Sequence, residues 1–132
     1  MSQENVEIVR RWIELWNRSD LATFATVHDP NVVVVPPEGW PDGEISRGRE
    51  AWARQVIRLK DSWGADRIVP DQLHDTGSNV IMHNRWTTTG KDSGIDFEAQ
   101  FWVVLTFSTG GILGIEFFLD RTRALEDVGL SE

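Results

Sequence analysis

Asp71 and Asn84 are the pair whose types and spacing point most directly to chemistry. Residues Thr76 to Asn79 read as a tight turn between two antiparallel strands, and counting outward from it sets Asp71 opposite Asn84. Both then share a face with Val69, Leu73, Met82 and Trp86. A carboxylate held among apolar groups loses solvation, which raises its pKa toward the range of a general base. With Asn84 as the orienting group, this pair predicts acid–base chemistry of the isomerase, cyclase or hydrolase kind, needing no cofactor.

Indoles surround that pair in the sequence. Seven of the 132 residues are tryptophan, with no tyrosine and no cysteine. An indole buries a large apolar area and carries one N–H donor, which suits the wall of a cavity for a flat, mostly apolar ligand. Trp12, Trp16 and Trp40 are the first wall candidates, coming from a helix and a loop. Trp52 and Trp86 join them, although periodicity also places these two, with Trp63, in the core. Val34, Phe97, Phe101, Val103 and Phe117 complete the predicted lining. The missing residues exclude a phenol acid, a thiolate nucleophile, a disulfide and a zinc–thiolate site.

The other polar groups carry less. His28 ends a helix, His74 sits beside a turn, and His83 shares parity with Arg85 on the outer face of its strand. Without HxH or HExxH spacing the three make no metal site. The run GKDSG, Gly90 to Gly94, joins two strands and opens no helix, so it reads as a hairpin turn and not a phosphate loop. Ser93 has no neighbouring histidine and no elbow motif, which leaves it a turn residue.

The elements that must position these residues follow from periodicity. Val6, Val9, Ile13 and Trp16 lie at helical steps within residues 3–17, and Ile8, Trp12 and Leu15 widen that stripe to two sides. Ser19 or Asp20 caps a second helix running to about His28, ended by Asp29-Pro30. Val32 to Val35 form a strand stopped by Pro36-Pro37, and Glu38 to Ser46 form a loop carrying Trp40 between Gly39 and Pro41. A third helix spans about Gly48 to Gly64, with Trp52, Val56, Leu59 and Trp63 as its stripe. Strands follow at about 66–76, 79–90, 94–107 and 111–120, then a short tail helix from Thr122 to Val128. Helices first and an antiparallel sheet after give an α+β fold, one domain over residues 1–132, whose bent sheet and three helices enclose a cone.

Charge and hydropathy narrow the partners. A net charge of −8 argues against nucleic acid and anionic membrane surfaces, and no apolar run reaches spanning length. The opening MSQENVEIVRR has acidic residues and no apolar core, so no secretory signal is expected there, and the absent cysteines fit the cytoplasm. Trp102, Val104 and Phe118 share the parity opposite the core stripes, which predicts a homodimer through the outer sheet face.

Six pieces in order resemble the SnoaL-like branch of the nuclear transport factor 2-like superfamily. They are WNRSDL (Trp16 to Leu21), DPNV (Asp29 to Val32), GREAW (Gly48 to Trp52), GKDSG, GGILGIEFFLD (Gly110 to Asp120) and ALEDVGL (Ala124 to Leu130). The resemblance implies a cone-shaped α+β fold shared by isomerases, cyclases, epoxide hydrolases and noncatalytic binders. Ketosteroid isomerases of this fold carry a tyrosine where Trp12 stands and aspartates near Val34 and at Val103. Limonene epoxide hydrolases use an aspartate at the position of Phe117 and a further pair on the strand with Met82 and Asn84. None of those groups is present here, so neither mechanism carries over. A ligand-binding carrier or sensor, or a protein–protein module using the outer sheet face, stands beside the enzyme reading.

Overall fold

A computed structural model describes residues 2–40 and 43–129. Pro41 and Leu130, the latter closing the ALEDVGL motif, lie outside the described residues. Helix α1 (Ser2–Asn17) is followed by α2 (Leu21–Thr26), strand β1 (His28–Val35) and a two-residue β2 (Ser46–Arg47). Then come α3 (Arg49–Ser62), β3 (Trp63–Asp75), β4 (Asn79–Gly90), β5 (Asp96–Ser108), β6 (Gly111–Phe118) and α4 (Arg121–Asp127). The six strands form one sheet in the order β2-β1-β6-β5-β4-β3. Its pairs are antiparallel except β1 with β6, which run parallel, so the sheet is mixed where a wholly antiparallel one was expected.

The broad stripe of α1 packs as its width predicts: Val9, Trp12, Ile13, Leu15 and Trp16 are all buried. Met82, Val103, Leu105, Ile112 and Ile115 meet them from the inner sheet face. Helix α2 starts on Asp20, whose carboxylate accepts from the Thr23 N–H, and ends at Thr26 rather than at His28. Tertiary pairing overrides the local helix pattern there. The Val27 carbonyl accepts from Ile112 N–H at 3.0 Å, and His28 pairs with Ile112 as the first residue of β1. Gly111 permits this approach: its φ is +123°, and a Cβ there would sit 2.5 Å from the Val27 oxygen.

The β3–β4 hairpin keeps the predicted register only near its turn. Asp75 faces Val80, His74 faces Ile81, Leu73 faces Met82 and Gln72 faces His83. Beyond that point Pro70, not Asp71, stands opposite Asn84, and Asp71 is the extra residue of a bulge. Proline has no N–H to give to the ladder and in sheets sits on edges and at bulges; β3 is an edge strand. The bulge flips parity along the rest of the strand. Even-numbered Asp66 and Ile68 face inward, and Asp71 is turned out.

On the outer face of the sheet, α4 folds back over β4, β5 and β6. Ile81, Val104 and Ala124 form a second, smaller core with Trp102, Phe118, Leu125 and Val128 around it. Val104 is therefore buried by the chain's own tail helix, while Trp102 and Phe118 stay half-buried. Among the described residues no helix is long and apolar enough to cross a membrane.

Candidate functional site

The concave side of the sheet, α1, α3 and the loop after β1 enclose a cavity of about 90 Å³. Trp12 and Trp16 of α1, Trp52 of α3 and Trp86 of β4 supply its indole walls. Val34, Trp40, Phe101 and Phe117 close it, with Ile68 and Leu59 filling between. Trp40 leans on Phe101 at 5.4 Å and on Trp86 at 6.4 Å between ring centres, so the loop residue is seated by the sheet. Trp40, Glu44, Gln55 and Leu59 also border an outer groove continued by Arg58, Asp61, Ser62 and Trp63. The cavity therefore opens beside Trp40.

Four wall indoles turn their N–H groups away from the cavity, in two pairs. Trp12 and Trp52 both donate to His28 Nε2, at 3.0 and 3.2 Å. Trp16 and Trp86 both donate to Asp66 Oδ2, at 2.7 and 2.8 Å. Two acceptors thus orient the rings, and the cavity sees their carbon surfaces.

Each acceptor is adapted to that load. His28 is fully buried, and burial pushes its pKa down to about 4, against smaller opposing hydrogen bonds to Ala25 and Phe24. A neutral ring leaves Nε2 free to accept, and Nδ1 lies 3.4 Å from the Ala25 carbonyl, which assigns the proton to Nδ1. Asp66 is neutralised by Lys60, whose Nζ lies 3.0 Å from Oδ1. That ammonium also donates to the Trp16 carbonyl at 2.6 Å and to Ser19 Oγ, and sits 4.4 Å from the Trp16 ring centre. Burying a carboxylate is tolerable only when it is paired and hydrogen-bonded in this way.

One polar group of the inner wall is not absorbed. Asn84 on β4 is 2% exposed and lines the cavity, and its Oδ1 has no hydrogen-bond partner among the described residues. Leaving a buried acceptor unpaired costs about 1–3 kcal/mol, so such atoms are rare in folded proteins. Ser46, Gln55 and Glu44 add polar groups nearer the mouth.

The SnoaL-like domain pattern matches residues 9–115. The chain belongs to the SnoaL-like domain family. No curated protein sequence matches it. Solved structures do. A nuclear transport factor 2-like protein from Burkholderia thailandensis is 27% identical over 85% of this chain and 87% of that one, with a TM-score of 0.76. Bal32a, from a soil-derived mobile gene cassette, is 23% identical over 88% of each chain, with a TM-score of 0.79. A protein with a ketosteroid isomerase-like fold from Catenulispora acidiphila, solved in complex with trimethylamine, is 17% identical over 94% of this chain and 93% of that chain, with a TM-score of 0.76. These likenesses establish the SnoaL-like, nuclear transport factor 2-like fold.

In this SnoaL-like chain the predicted lining residues Trp12, Trp16, Val34, Trp40, Trp52, Trp86, Phe101 and Phe117 all reach the cavity. Phe97 does not: it lies at the far end of β5, 41% exposed, stacked on Trp63 at 5.7 Å. Val103 has the inward parity but is buried in the core below the cavity floor, fully covered by its neighbours. Asp71 is corrected more sharply. It lies outside, its carboxylate accepting from Arg85 Nε and a terminal guanidinium nitrogen at 3.1–3.2 Å, with Glu98 beyond. The bulge at Pro70 separates it from Asn84 and removes it as a base for this cavity. His28, expected at the end of a helix, is instead the first residue of β1 and a neutral buried acceptor. No local pattern in the sequence marks Asp66, because its two indole partners are 50 and 20 residues away; Pro70 is the signal that the parity of its strand changes. Among the described residues no three metal-ligating side chains converge.

Proposed function

We propose that this protein binds a small, largely apolar molecule in the cone and acts as a carrier or sensor. The observation behind this reading is the composition of the wall: indole and phenyl surfaces, with Glu44 at the mouth as the only ionisable group lining the cavity among the described residues. A cone without an inward acid or base pair can hold an apolar ligand but has little with which to move a proton. The trimethylamine complex of the Catenulispora acidiphila neighbour supports small-molecule binding in this fold. Cytoplasmic residence fits a chain without cysteine. The test is titration with a panel of monocyclic, polycyclic and terpenoid compounds, followed by tryptophan emission. Binding should be weakened by Trp40→Ala and by Trp16→Ala; binding unchanged in both variants refutes the location.

An enzyme of the isomerase, cyclase or hydrolase kind is the second reading, and Glu44 is what favours it. It borders both the cavity and the outer groove, where a carboxylate could meet a ligand half inside. Turnover of any bound compound that is abolished by Glu44→Gln, with binding retained, would put this reading first.

The same proposal includes a homodimer through the part of the outer sheet face that α4 leaves open, Trp102 and Phe118. Sedimentation of the wild type as a monomer at micromolar concentration overturns it.

A further inference from the structure

Building on the binding reading, we infer that the ligand of the cone carries a hydrogen-bond donor on its apolar body and that Asn84 Oδ1 selects it. The chemical class is a neutral aromatic or alicyclic molecule with one hydroxyl or N–H group, of which phenol is the smallest model. Three observations converge on this.

Four of the five indoles that line the cavity have no N–H left to offer its interior. Those of Trp12, Trp52, Trp16 and Trp86 are all committed to His28 and Asp66. A ligand bearing only acceptors therefore finds no donor among these indoles. Asn84 Oδ1, in contrast, is an acceptor without a partner among the described residues, on a side chain 2% exposed that lines the same cavity. Its strand position fixes it there. Asn84 stands between Phe101 on one side and Pro70 on the other, and neither side chain has a polar group to give it.

The unpaired acceptor makes the selection. Asn84 Oδ1 is already shut off from solvent, so a purely apolar ligand leaves it stranded while one whose donor reaches it satisfies it. Sites built around a buried hydrogen-bonding group reject analogues lacking the matching group far more strongly than apolar pockets reject a missing methylene. The neutral class is favoured over a cation because the nearest buried carboxylate, Asp66, is already held by Lys60 and two indoles. Among the described residues the only carboxylate lining the cavity is Glu44, exposed at its mouth. An ammonium on the floor would lose its hydration without gaining a counter-charge.

Calorimetric titration of the intact protein with toluene, phenol and anisole tests this, since anisole keeps the phenol oxygen and loses the donor. The ratio of anisole to phenol dissociation constants should fall by about tenfold from the wild type to Asn84→Leu, while toluene binds the variant at least as well. In the wild type, phenol and not anisole should shift the Asn84 side-chain amide resonances, a readout that stands even if the variant fails to fold. A ratio unchanged by the substitution, or equal effects of phenol and anisole on that amide, overturns the inference. Toluene binding with no donor preference leaves the cavity reading intact and removes only the role of Asn84; failure of all three ligands to bind removes both. Trimethylammonium binding tighter than phenol overturns the neutral class in favour of a cation held on aromatic faces.

Discussion

Asp66 and Asp71 lie five residues apart on β3, yet the strand puts them in opposite worlds. Asp66 points into the core, 5% exposed, holding two cavity indoles and a buried ammonium. Asp71 points out, about a third exposed, sharing Arg85 with Glu98. Same residue type, same strand, different work. The difference comes from one bulge at Pro70, which reverses which parity faces the cone. A carboxylate's role here is set by the backbone register, and only then by its chemistry.

The largest effect expected from this contrast is on stability. Asp66→Ala removes the partner of Lys60 and strands the N–H groups of Trp16 and Trp86. Breaking a buried pair from one side costs about 3–5 kcal/mol, whereas Asp71→Ala on the exposed face should cost less than about 1 kcal/mol. Urea denaturation of the two variants reads the gap directly. Adding Lys60→Met to Asp66→Ala should recover part of the loss, because the uncompensated cation is gone. Equal losses for the two aspartates would mean that the Asp66 cluster does not hold the wall together.

The second acceptor gives the next effect, and its sign follows from burial. His28 is held neutral with a pKa of about 4 against the ordinary 6.5. In the unfolded chain the ring takes up its proton as pH falls below 6.5, while the folded chain resists until about 4. The stabilisation is therefore full above the unfolded value and is lost as pH falls through that window. At about 1.4 kcal/mol per pH unit the loss approaches about 3 kcal/mol. Denaturation midpoints between pH 7 and 4 should decline accordingly, and the decline should be much smaller in His28→Gln. Proton NMR of the His28 ring should show titration well below pH 6. A ring that titrates near 6.5 would mean that Nε2 is not the acceptor for Trp12 and Trp52.

How much of this was legible in the sequence follows the same division. Periodicity found α1, α3 and the long strands because their apolar stripes are wide and strictly repeated. It placed most of the indole wall for the same reason: Trp12 and Trp16 sit on the stripe of α1, and Phe101 on the inward parity of β5. Depth along an inward row was not legible, so Val103 and Phe97 could not be told from Phe101. The hydrogen-bond scaffold behind the wall was not legible either. It joins residues from five elements, and no local pattern marks a histidine or an aspartate that takes two indole N–H groups. The tail helix was predicted as an element, but its seat over Val104 belongs to tertiary packing.

The smallest effect tests the outer face itself. Glu116 stands opposite Val104 on that face, where α4 packs. Burial raises its pKa, and the neighbouring Asp127 of α4 raises it further by repulsion and by a hydrogen bond to the protonated form. The ionised form is thus less favourable in the fold than in the unfolded chain. Stability is highest while Glu116 is protonated, declines as pH rises from the unfolded carboxylate value through the raised folded one, and stays lower at neutral pH. Glu116→Gln should then stabilise the protein at pH 7 by less than about 1 kcal/mol, since water reaches the site and screens the repulsion. The gain should shrink as pH is lowered toward 4, the opposite trend to that of His28. Asp127→Asn should give a smaller gain, because it removes the repulsion and leaves the larger cost of burying the Glu116 carboxylate. A gain that persists unchanged at pH 4 would assign the effect to local propensity or packing and leave the two carboxylates uncoupled.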